Sequence, residues 1–417
     1  MKKIALKYGK RTPFAKMEGH FQELSVIDLS YKLVDGIVEG LDFEPFYIKH
    51  LIWGMVVPDP DIYSIGREAV LASKLPNETE AYSLSRACAT SLQCIANGAS
   101  YYHTRPEEES VTLVGGVESF STVRTTVSPA GAAALRKFFG KGPITKRLGA
   151  LLAAGPKKLM PRAPSAREYS TGLTMGEHCE LMVKEFKVTR AEQDELAFRS
   201  HKRAGAARGA QSSLIFPIAG LNKDALIRDN TTIEKMASLQ PVFDKSEHGT
   251  LTAANSSPYT DGASGMFVIS PALENKIKAD GYLVDFEFVA VHPDLGLLMG
   301  PSKGMLILLE RNKLRWSDFD YIEIHEAFAG EVVCNIKAMN DRGYCIRNFG
   351  IDYDPGHLDV ETVNPWGGSI AYGHPFGATG VRMMMQGLRY LEVNKKKRGI
   401  IGICAAGALA GAAIFER

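Results

Sequence analysis

The sequence predicts an α/β protein built from two similar halves that meet near residues 270–280. Short apolar stretches typical of buried strands alternate along the chain with amphipathic stretches typical of helices, and this alternation is characteristic of layered α/β folds. In each half a reactive side chain leads into a helical pattern, Cys88 in the first and His374 in the second. With 417 residues, the chain is long enough for two or three domains.

The individual elements follow this alternation. The apolar stretch 111–116 predicts a buried strand that ends in a glycine turn. Residues 188–206 predict an amphipathic helix, because Thr189 is a favourable N-cap and Glu192, three residues later, completes a capping box. Further strands are predicted at 282–286, 321–324 and 399–404.

Residues 124–168 differ in composition from the rest of the chain. Between 130 and 168, nine Lys or Arg residues stand against one acidic residue, Glu168, and apolar residues are interleaved among them. This pattern predicts an insertion with short amphipathic helices, suited to an anionic membrane surface or a partner subunit. The predicted division is therefore a first half formed by 1–123 and 221–272, a basic, helical inserted loop domain at 124–220, and a second half at 273–417.

Composition excludes several classes of function. A net charge of +2 and the lack of a recognisable motif do not favour a nucleic-acid partner. Without a secretory signal, the six cysteines are expected to be reduced thiols, and we expect a cytoplasmic protein, although a processed organellar form would look the same. The cysteines lack paired short spacings and the histidines are dispersed, so no metal site is predicted. No phosphate-binding loop or hydrolase nucleophile elbow is evident.

Cys88 is the candidate nucleophile. Only the thiolate form of a cysteine attacks carbon, and a helix N-terminus lowers the pKa of a thiol. Cys88 lies among the small residues Ala87, Ala89 and Thr90, directly before a helical pattern, which leaves room for a substrate. The competing interpretation is a small thiol buried in the core, which is the usual environment of a cysteine.

Residues 367–380 form a glycine-rich stretch around His374, and glycines allow backbone and substrate to come close. Pro375 suits the first turn of a helix, so His374 is predicted at the N-cap, facing a cleft. An imidazole in that position would serve as a base for a cysteine. The competing interpretation is a turn histidine without a catalytic role.

Two further candidates follow predicted strands. His325 and Glu326 come directly after the strand at 321–324, and α/β sheets place their sites at the carboxyl ends of strands. Cys404 ends the strand at 399–404; a second thiol there would shuttle a proton, and the small residues after it would offer backbone N–H groups to an oxyanion. Taken singly, these stretches are better explained as a hydrogen-bonded turn and a buried thiol, so their combination is what is informative.

Together, these stretches resemble the thiolase family. The likeness runs in order from about residue 3 to 416. Within the family, His325 in place of an asparagine and the insertion at 124–168 most resemble the 3-ketoacyl-CoA thiolase subunit of fatty-acid-oxidation multienzyme complexes. The stretches that carry the resemblance are 85–91 around Cys88, 325–329, 373–375 and 404–407, with 11–14 and 255–262 in support.

The resemblance implies a thiolase fold, a duplicated five-layer α-β-α-β-α sandwich with an inserted loop domain. It implies CoA thioesters as substrates, coenzyme A as a co-substrate, and no tightly bound cofactor. It also implies a homodimer or tetramer and a complex with an α subunit that carries hydratase and dehydrogenase activities. The basic groups of the insertion would then meet a membrane surface, this partner or the CoA phosphates.

The resemblance also implies a role for each candidate residue. His374 would take the proton of Cys88, whose thiolate attacks the 3-keto carbon, while Cys404 would protonate the leaving acetyl-CoA enolate and later deprotonate incoming CoA. His325 would fix a water that, with His374, forms one oxyanion hole, and the backbone N–H groups of Cys88 and Ala406 would form the other. The residues that match the lining of the pantetheine channel are Ser257, Met175 and Phe328.

The stretch after Cys404 departs from the family pattern. Ala408 and Ala410 occupy positions where family members commonly have glycine. An alanine is strained wherever the backbone requires a positive φ, so we expect any deviation to affect the second oxyanion hole.

The favoured prediction is thiolysis of 3-ketoacyl-CoA in fatty-acid β-oxidation by a ping-pong route through an acyl-cysteine. A short-chain acetyl-CoA acetyltransferase that makes acetoacetyl-CoA by Claisen condensation would use the same site. A β-ketoacyl synthase shares the fold but uses a single cysteine, so Cys404 argues against it. A non-catalytic scaffold subunit would not need all four motifs.

Overall fold

A computed structural model describes residues 2–417. The strands are β1 Ile4–Arg11, β2 Ala15–Lys16, β3 Ile48–Gly54, β4 Glu80–Leu84, β5 Val111–Glu118, β6 Thr260–Ile269, β7 Gly281–Ala290, β8 Tyr321–Ile324, β9 Arg398–Ala405 and β10 Leu409–Glu416. The α-helices are α1 Val26–Glu39, α2 Ile65–Ala72, α3 Thr90–Thr104, α4 Pro129–Phe139, α5 Ile144–Ala154, α6 Pro156–Leu159, α7 Met175–Glu185, α8 Arg190–Gln211, α9 Ile233–Ala237, α10 Gly300–Asn312, α11 Ala329–Met339, α12 Arg342–Phe349, α13 Ser369–Tyr372 and α14 Thr379–Val393.

The strands repeat one order in the two halves. The first half runs β3, β5, β6, β1 and the second runs β8, β9, β10, β7. In both, the first pair of strands is parallel and the next two pairs are antiparallel. β4 extends the first half at its edge, and the halves join where β1 pairs with β7 at residues 4–6. The two similar halves predicted from the sequence are therefore present.

Three large apolar clusters separate the layers. One cluster holds α1 and α2 on the outer face of the first half, with Leu29 and Val70 fully buried. A second contains side chains of α3 and α14, such as Ile95 and Met384, together with strands of both halves, so these two helices form the central layer. The third holds α10 and α11 on the outer face of the second half. The predicted five-layer α-β-α-β-α sandwich is confirmed.

The local signals in the sequence explain several boundaries. Thr189 accepts a hydrogen bond from the backbone of Glu192, and the Glu192 side chain accepts one from the backbone of Thr189. This capping box satisfies N–H groups that the first turn of α8 leaves unpaired. The helix continues to Gln211, five residues beyond the predicted end at 206, because Ala204, Ala207 and Gln211 remain buried.

The basic segment forms short helices, as its pattern predicted. α4, α5 and α6 pack on one another and leave large apolar side chains in solvent, including Phe139 at 75% exposure and Leu152 at 82%. α7 and α8, which follow, pack against α11 of the second half. Among residues 2–417, no helix combines the length and the apolar composition that crossing a bilayer requires.

Candidate active site

The two central helices bring the first pair of candidate residues together. Cys88 lies two residues before α3, and His374 lies five residues before α14. The Cys88 Sγ atom is 3.1 Å from His374 Nε2, although the residues are 286 positions apart in the chain. The site therefore lies at the seam between the two halves.

The predicted helix start at His374 is wrong. Pro375 does not occupy the first turn of an α-helix; it precedes a short 3₁₀ turn, Phe376–Ala378, and α14 begins only at Thr379. The proline ring fixes φ but leaves ψ free, and ψ of Pro375 is extended at 98°. The 3₁₀ turn is held by Glu118, whose carboxyl accepts the N–H of Gly377 at 3.1 Å.

The hydrogen bonds of His374 orient its imidazole. Its Nδ1 lies 2.8 Å from Thr379 Oγ1, and the Thr379 hydroxyl in turn donates to the carbonyl of Pro375. Because that hydroxyl proton is already used, Nδ1 is the donor to Thr379, and Nε2 is left as an acceptor facing the Cys88 thiol. His374 is thus arranged as a base for Cys88.

His325 reaches the same point from the carboxyl end of β8. Its Nε2 lies 3.3 Å from His374 Nε2, and its Nδ1 lies 3.1 Å from Ser369 Oγ. Ser369 Oγ accepts from Arg382 Nη2 at 2.8 Å, and Arg382 also forms a fully buried ion pair with Glu323. The Ser369 hydroxyl proton is then free for His325 Nδ1, which leaves Nε2–H as a donor toward the reaction centre.

Backbone N–H groups surround the Cys88 thiol. The N–H groups of Ala406 and of Cys88 itself, the pair expected to form an oxyanion hole, lie close enough to Sγ to favour the thiolate and lower its pKa. Ala87, which precedes the thiol, has a φ of +44°, a region that a residue with a Cβ rarely adopts. In this turn the Cys88 Sγ atom contacts His374 of the second half.

Burial dominates the protonation of the pair. It raises the pKa of the Cys88 thiol to about 12, with the Glu331 carboxyl contributing in the same direction. It lowers the pKa of His374 to about 3, assisted by the positive charge of Arg382. Loss of solvation thus shifts the thiol pKa in the direction opposite to the lowering expected from the start of α3. Both shifts favour a neutral thiol and a neutral imidazole in the site without substrate.

Cys404 approaches from the second half. It lies near the end of β9, is 1% exposed, and its pKa is raised well above its usual range, first by burial and then by Glu331 and Cys88. The turn that follows it, at residues 406–408, contains Ala406. The Gly407 N–H in this turn donates to Glu168 Oε1 at 2.9 Å, so the insertion contacts the turn directly.

The two unusual alanines differ in conformation. Ala408 has a φ of +58°, so its Cβ is strained, as expected if this position suits glycine. Ala410 lies in extended β10 opposite Cys404, and its methyl group is buried beside Gly300. Strain next to the oxyanion N–H of Ala406 therefore comes from Ala408 alone.

Glu326 supports the glycine-rich stretch instead of facing the thiols. Its carboxyl accepts from Ser200 Oγ at 2.6 Å, from Asn364 Nδ2 at 2.7 Å and from the N–H of Ile370 at 3.2 Å. A Cβ at Gly368 would collide with this carboxyl, which explains the glycine there. Glu326 thereby fixes α13, from which Ser369 reaches His325.

Two of the three predicted channel residues, Ser257 and Phe328, lie in segments that contact each other. Ser257 N–H donates to the carbonyl of Ala327, which precedes Phe328, and Phe328 packs edge-on against Phe243. Met175 begins α7 and packs against the apolar cluster that contains Phe328. The structure thus brings Ser257 and Phe328 together and places Met175 against the same cluster.

Residues that the sequence analysis missed complete the site. Most of them act through partners far away in sequence, and only Thr379 has its partners, His374 and Pro375, within five residues. Glu118 is 1% exposed and accepts the N–H groups of Val56, Val57 and Gly377, and burial raises its pKa to about 7. The missed residues are Glu118, Glu331, Ser369, Thr379 and Arg382.

Two of the ten histidines, His325 and His374, come together with Cys88 in three dimensions. Possible ligand atoms of Cys88, His325 and His374 all lie within 4.8 Å of one another. We interpret this group as an acid–base cluster, since its short contacts are the directed hydrogen bonds described above. A thiol hydrogen-bonded to an imidazole, a second buried thiol and backbone N–H groups beside the first thiol are the groups that a thiol-dependent acyltransferase requires.

Comparisons with known proteins agree with this class. Residues 5–272 match the family model described as Thiolase, N-terminal domain, and residues 277–417 match Thiolase, C-terminal domain. The chain is 38% identical to a 3-ketoacyl-CoA thiolase of Photobacterium profundum, over 99% of this chain and 97% of that protein. It is 37% identical to a 3-ketoacyl-CoA thiolase of Colwellia psychrerythraea, with the same coverage. The chain belongs to the thiolase family.

Solved structures show the same fold. The Bacillus anthracis acetyl-CoA acetyltransferase superposes with a TM-score of 0.83 at 25% identity, covering 100% of this chain and 99% of that one. Human mitochondrial 3-ketoacyl-CoA thiolase in complex with CoA superposes with a TM-score of 0.82 at 25% identity, covering 99% of this chain and 98% of that one.

Proposed function

We propose that this thiolase cleaves 3-ketoacyl-CoA with coenzyme A, giving acetyl-CoA and an acyl-CoA shortened by two carbons, as a step of fatty-acid β-oxidation. The observation that carries the proposal is the hydrogen bond between Cys88 Sγ and His374 Nε2 at a seam that Cys404 also reaches. The names of the relatives that align over nearly the full chain support the same reaction.

The first half-reaction transfers the acyl group to the enzyme. His374 accepts the proton of Cys88, and the thiolate attacks the 3-keto carbon of the bound substrate. The bond from this carbon to the α-carbon then breaks, so that the acyl group stays on Cys88 Sγ and acetyl-CoA leaves as an enolate. Cys404 gives its proton to the enolate α-carbon and becomes a thiolate, while His374 keeps the proton from Cys88.

The second half-reaction returns the enzyme to its starting state. The Cys404 thiolate takes the proton of incoming CoA, and the CoA thiolate attacks the acyl carbon on Cys88. The shortened acyl-CoA leaves, and Cys88 recovers its proton from His374. Because one product departs before CoA attacks, the scheme gives ping-pong kinetics.

Two oxyanion holes lower the barriers of these steps. His325, acting through a water, and His374 stabilise the thioester oxygen of the enolate. The N–H groups of Cys88 and Ala406 stabilise the oxygen of the tetrahedral intermediate at the 3-keto carbon. A carbanion beside a thioester is unstable in water, so hydrogen-bond donors preorganised between the two halves are the main contribution expected from the protein.

The neutral resting pair fits this scheme. A thiol whose pKa is raised and an imidazole whose pKa is lowered by burial do not form an ion pair until substrate supplies a developing negative oxygen. Cys88 is therefore protected from reaction in the absence of substrate, and proton transfer to His374 is coupled to attack.

Coenzyme A is the co-substrate in this proposal, with Ser257, Met175 and Phe328 along its pantetheine arm. The Ser256–Phe328 backbone bridge and the packing of α7 against α11 form one wall beside the thiols. The similar human mitochondrial 3-ketoacyl-CoA thiolase was solved in complex with CoA, which supports this ligand. The enzyme needs no tightly bound cofactor for either half-reaction.

A short-chain acetyl-CoA acetyltransferase is the second candidate, favoured by the likeness to the Bacillus anthracis enzyme of that name. Both reactions use one site, so substrate length decides between them. We expect CoA-dependent loss of the 3-ketoacyl absorbance with 3-ketohexadecanoyl-CoA as well as with acetoacetyl-CoA. Turnover of acetoacetyl-CoA alone would select the acetyltransferase.

The acyl-enzyme gives the direct test. Protein mixed with a 3-ketoacyl-CoA and no free CoA should gain one acyl group, which peptide mass spectrometry locates on Cys88. Cys94→Ala is the matched control, because Cys94 is a buried thiol six residues later on α3, away from His374. No acyl group on folded protein would overturn the proposal and favour a scaffold subunit, whereas an acyl group on another residue would overturn the role of Cys88 as the nucleophile.

The basic segment α4–α6 suggests how the enzyme is placed in the cell. We propose a cytoplasmic homodimer or tetramer that joins a hydratase and dehydrogenase subunit and contacts an anionic membrane surface through this segment. Exposed apolar side chains such as Phe139, Leu152 and Met160 lie among its lysines and arginines, a combination that suits the headgroup region. Co-sedimentation with anionic liposomes should be lost when residues 136–160 are deleted; no binding by the intact chain would end the idea.

A further inference from the structure

We infer that Glu331 is a positioning residue for Cys404: as a neutral carboxylic acid, it donates a hydrogen bond to the Cys404 thiolate that forms when the acetyl-CoA enolate is protonated. The inference rests on the proposed function, because it concerns the state of Cys404 between the two half-reactions. It assigns a task to a side chain that the scheme above does not use.

Glu331 lies in the first turn of α11 with its side chain in the seam. It is fully buried, and among residues 2–417 neither carboxyl oxygen has a hydrogen bond of normal geometry or an ion pair. The groups that face the carboxyl are the Cys404 thiol and the backbone N–H groups of Ala327 and Phe328. Burying a carboxyl group without a hydrogen-bond partner costs folding free energy, which points to a functional reason for this acid.

The other titratable groups around Glu331 are thiols and one acid. Cys404 faces it from β9, Cys179 from α7, Cys88 from the start of α3 and Cys334 from α11. Glu326 adds a second carboxyl from the turn before α11. None of these groups carries a positive charge, and burial raises the pKa of Glu331 to about 8, so the acid form prevails at neutral pH.

The neutral acid suits the chemistry of Cys404. When Cys404 gives its proton to the enolate carbon, its sulfur becomes a buried anion that needs a donor. The Glu331 O–H supplies one, and the Glu331–Cys404 pair holds a single proton whether that proton lies nearer to oxygen or to sulfur, so the proton balance of the two half-reactions is unchanged. When CoA then gives its proton to Cys404, the bond to Glu331 weakens again.

The ionised form would have the opposite effect. A carboxylate at Glu331 raises the pKa of both the Cys404 and the Cys88 thiol and would hold both sulfurs protonated. The activity should therefore fall as pH rises through the pKa of Glu331, although thiols normally become more reactive with rising pH.

The test compares two substitutions of similar size. Glu331→Gln keeps a neutral donor, whereas Glu331→Met removes it and fills the space. Because a hydrogen bond to a charged group is lost, we expect kcat of Glu331→Met to fall roughly 10- to 100-fold, with KM within about twofold of the wild type. We expect kcat of Glu331→Gln to stay within about threefold of the wild type at pH 7. Above pH 8 the wild-type kcat should fall, and that of Glu331→Gln should not.

The outcomes separate the inference from the proposed function. The role of Glu331 would be overturned if Glu331→Met kept the kcat of the wild type, or if the kcat of Glu331→Gln also fell at alkaline pH. In either case acylation of Cys88 would show that the proposed function still holds. Failure of the wild type to form an acyl-enzyme would instead overturn the function itself. Glu180→Gln is the control, because Glu180 is a buried acid on α7 that accepts the N–H groups of Thr250 and Leu251; its pH profile should match the wild type.

Discussion

The two halves share one strand order but use matching positions differently. β5 and β9 correspond, since each lies between a parallel and an antiparallel neighbour. Near the end of β5 stands Glu118, whose carboxyl holds three backbone N–H groups, while near the end of β9 stands the thiol of Cys404. The side chain at the end of this strand therefore stabilises the backbone in the first half, whereas the side chain at the equivalent position of the second half faces the reaction centre.

The central helices show a second form of this difference. α3 and α14 correspond, and each is preceded by a group of the acid–base pair, Cys88 or His374. Here both halves contribute, because the two helix starts face each other across the seam. A duplicated fold therefore supplies equivalent places for side chains, and the individual residues decide which places carry chemistry.

The largest expected effect comes from removing the thiols. Cys88→Ala should abolish acyl-enzyme formation and lower kcat by about 10³-fold or more, since no nucleophile remains. Cys404→Ala should lower kcat by about 10²- to 10⁴-fold through loss of acid–base catalysis. Cys88 remains in this variant and should still accept the acyl group. Steady-state thiolysis and the mass of the acyl-enzyme measure both. Equal acylation in the two variants would contradict the assignment of Cys88 as the nucleophile and Cys404 as the acid–base group.

The matching position in the first half should respond in stability. Glu118→Gln leaves one oxygen for the three N–H groups that two oxygens now accept. Its folded pKa of about 7 lies above the ordinary value of 4.5, so the stability that wild type gains from the neutral acid is complete below pH 4.5 and lost as pH rises through 7. The variant should have a lower free energy of unfolding than the wild type. The difference between the two should decrease by roughly 3 kcal/mol from pH 4.5 to pH 8. Urea unfolding at both pH values measures it, and a margin that does not change with pH would refute this assignment.

The smallest effect concerns the turn after Cys404. Ala408→Gly relieves a positive φ and should stabilise the fold by up to about 1 kcal/mol, with no loss of kcat. Ala410→Gly, in extended backbone, should instead destabilise by about 0.5–1 kcal/mol. Thermal unfolding of the two variants side by side measures the contrast. Shifts of the same sign would show that the conformation of Ala408 is not the cause.

The sequence predicted the architecture and the principal chemical groups, and it failed where long-range packing decides. Strand and helix patterns, with the capping box at Thr189, gave the layers. The order of the motifs gave Cys88, His374, His325 and Cys404, although their roles stay predictions until they are tested. The predicted helix start at Pro375 was wrong because the turn there depends on the carboxyl of Glu118, which is 259 residues from Gly377 in the chain. The burial of the thiols and the partners of Glu331 likewise cannot be predicted from neighbouring residues in the sequence.

The strand that joins the halves sets a condition on biosynthesis. β1 pairs on one side with β6 and on the other with β7, so Ala5 meets Ile269 and Tyr282. At roughly 5–20 residues per second, translation leaves this strand without either neighbour for tens of seconds. Throughout that interval both of its edges are open to non-native pairing, so we expect production of the enzyme to depend on chaperones that cover the nascent segment.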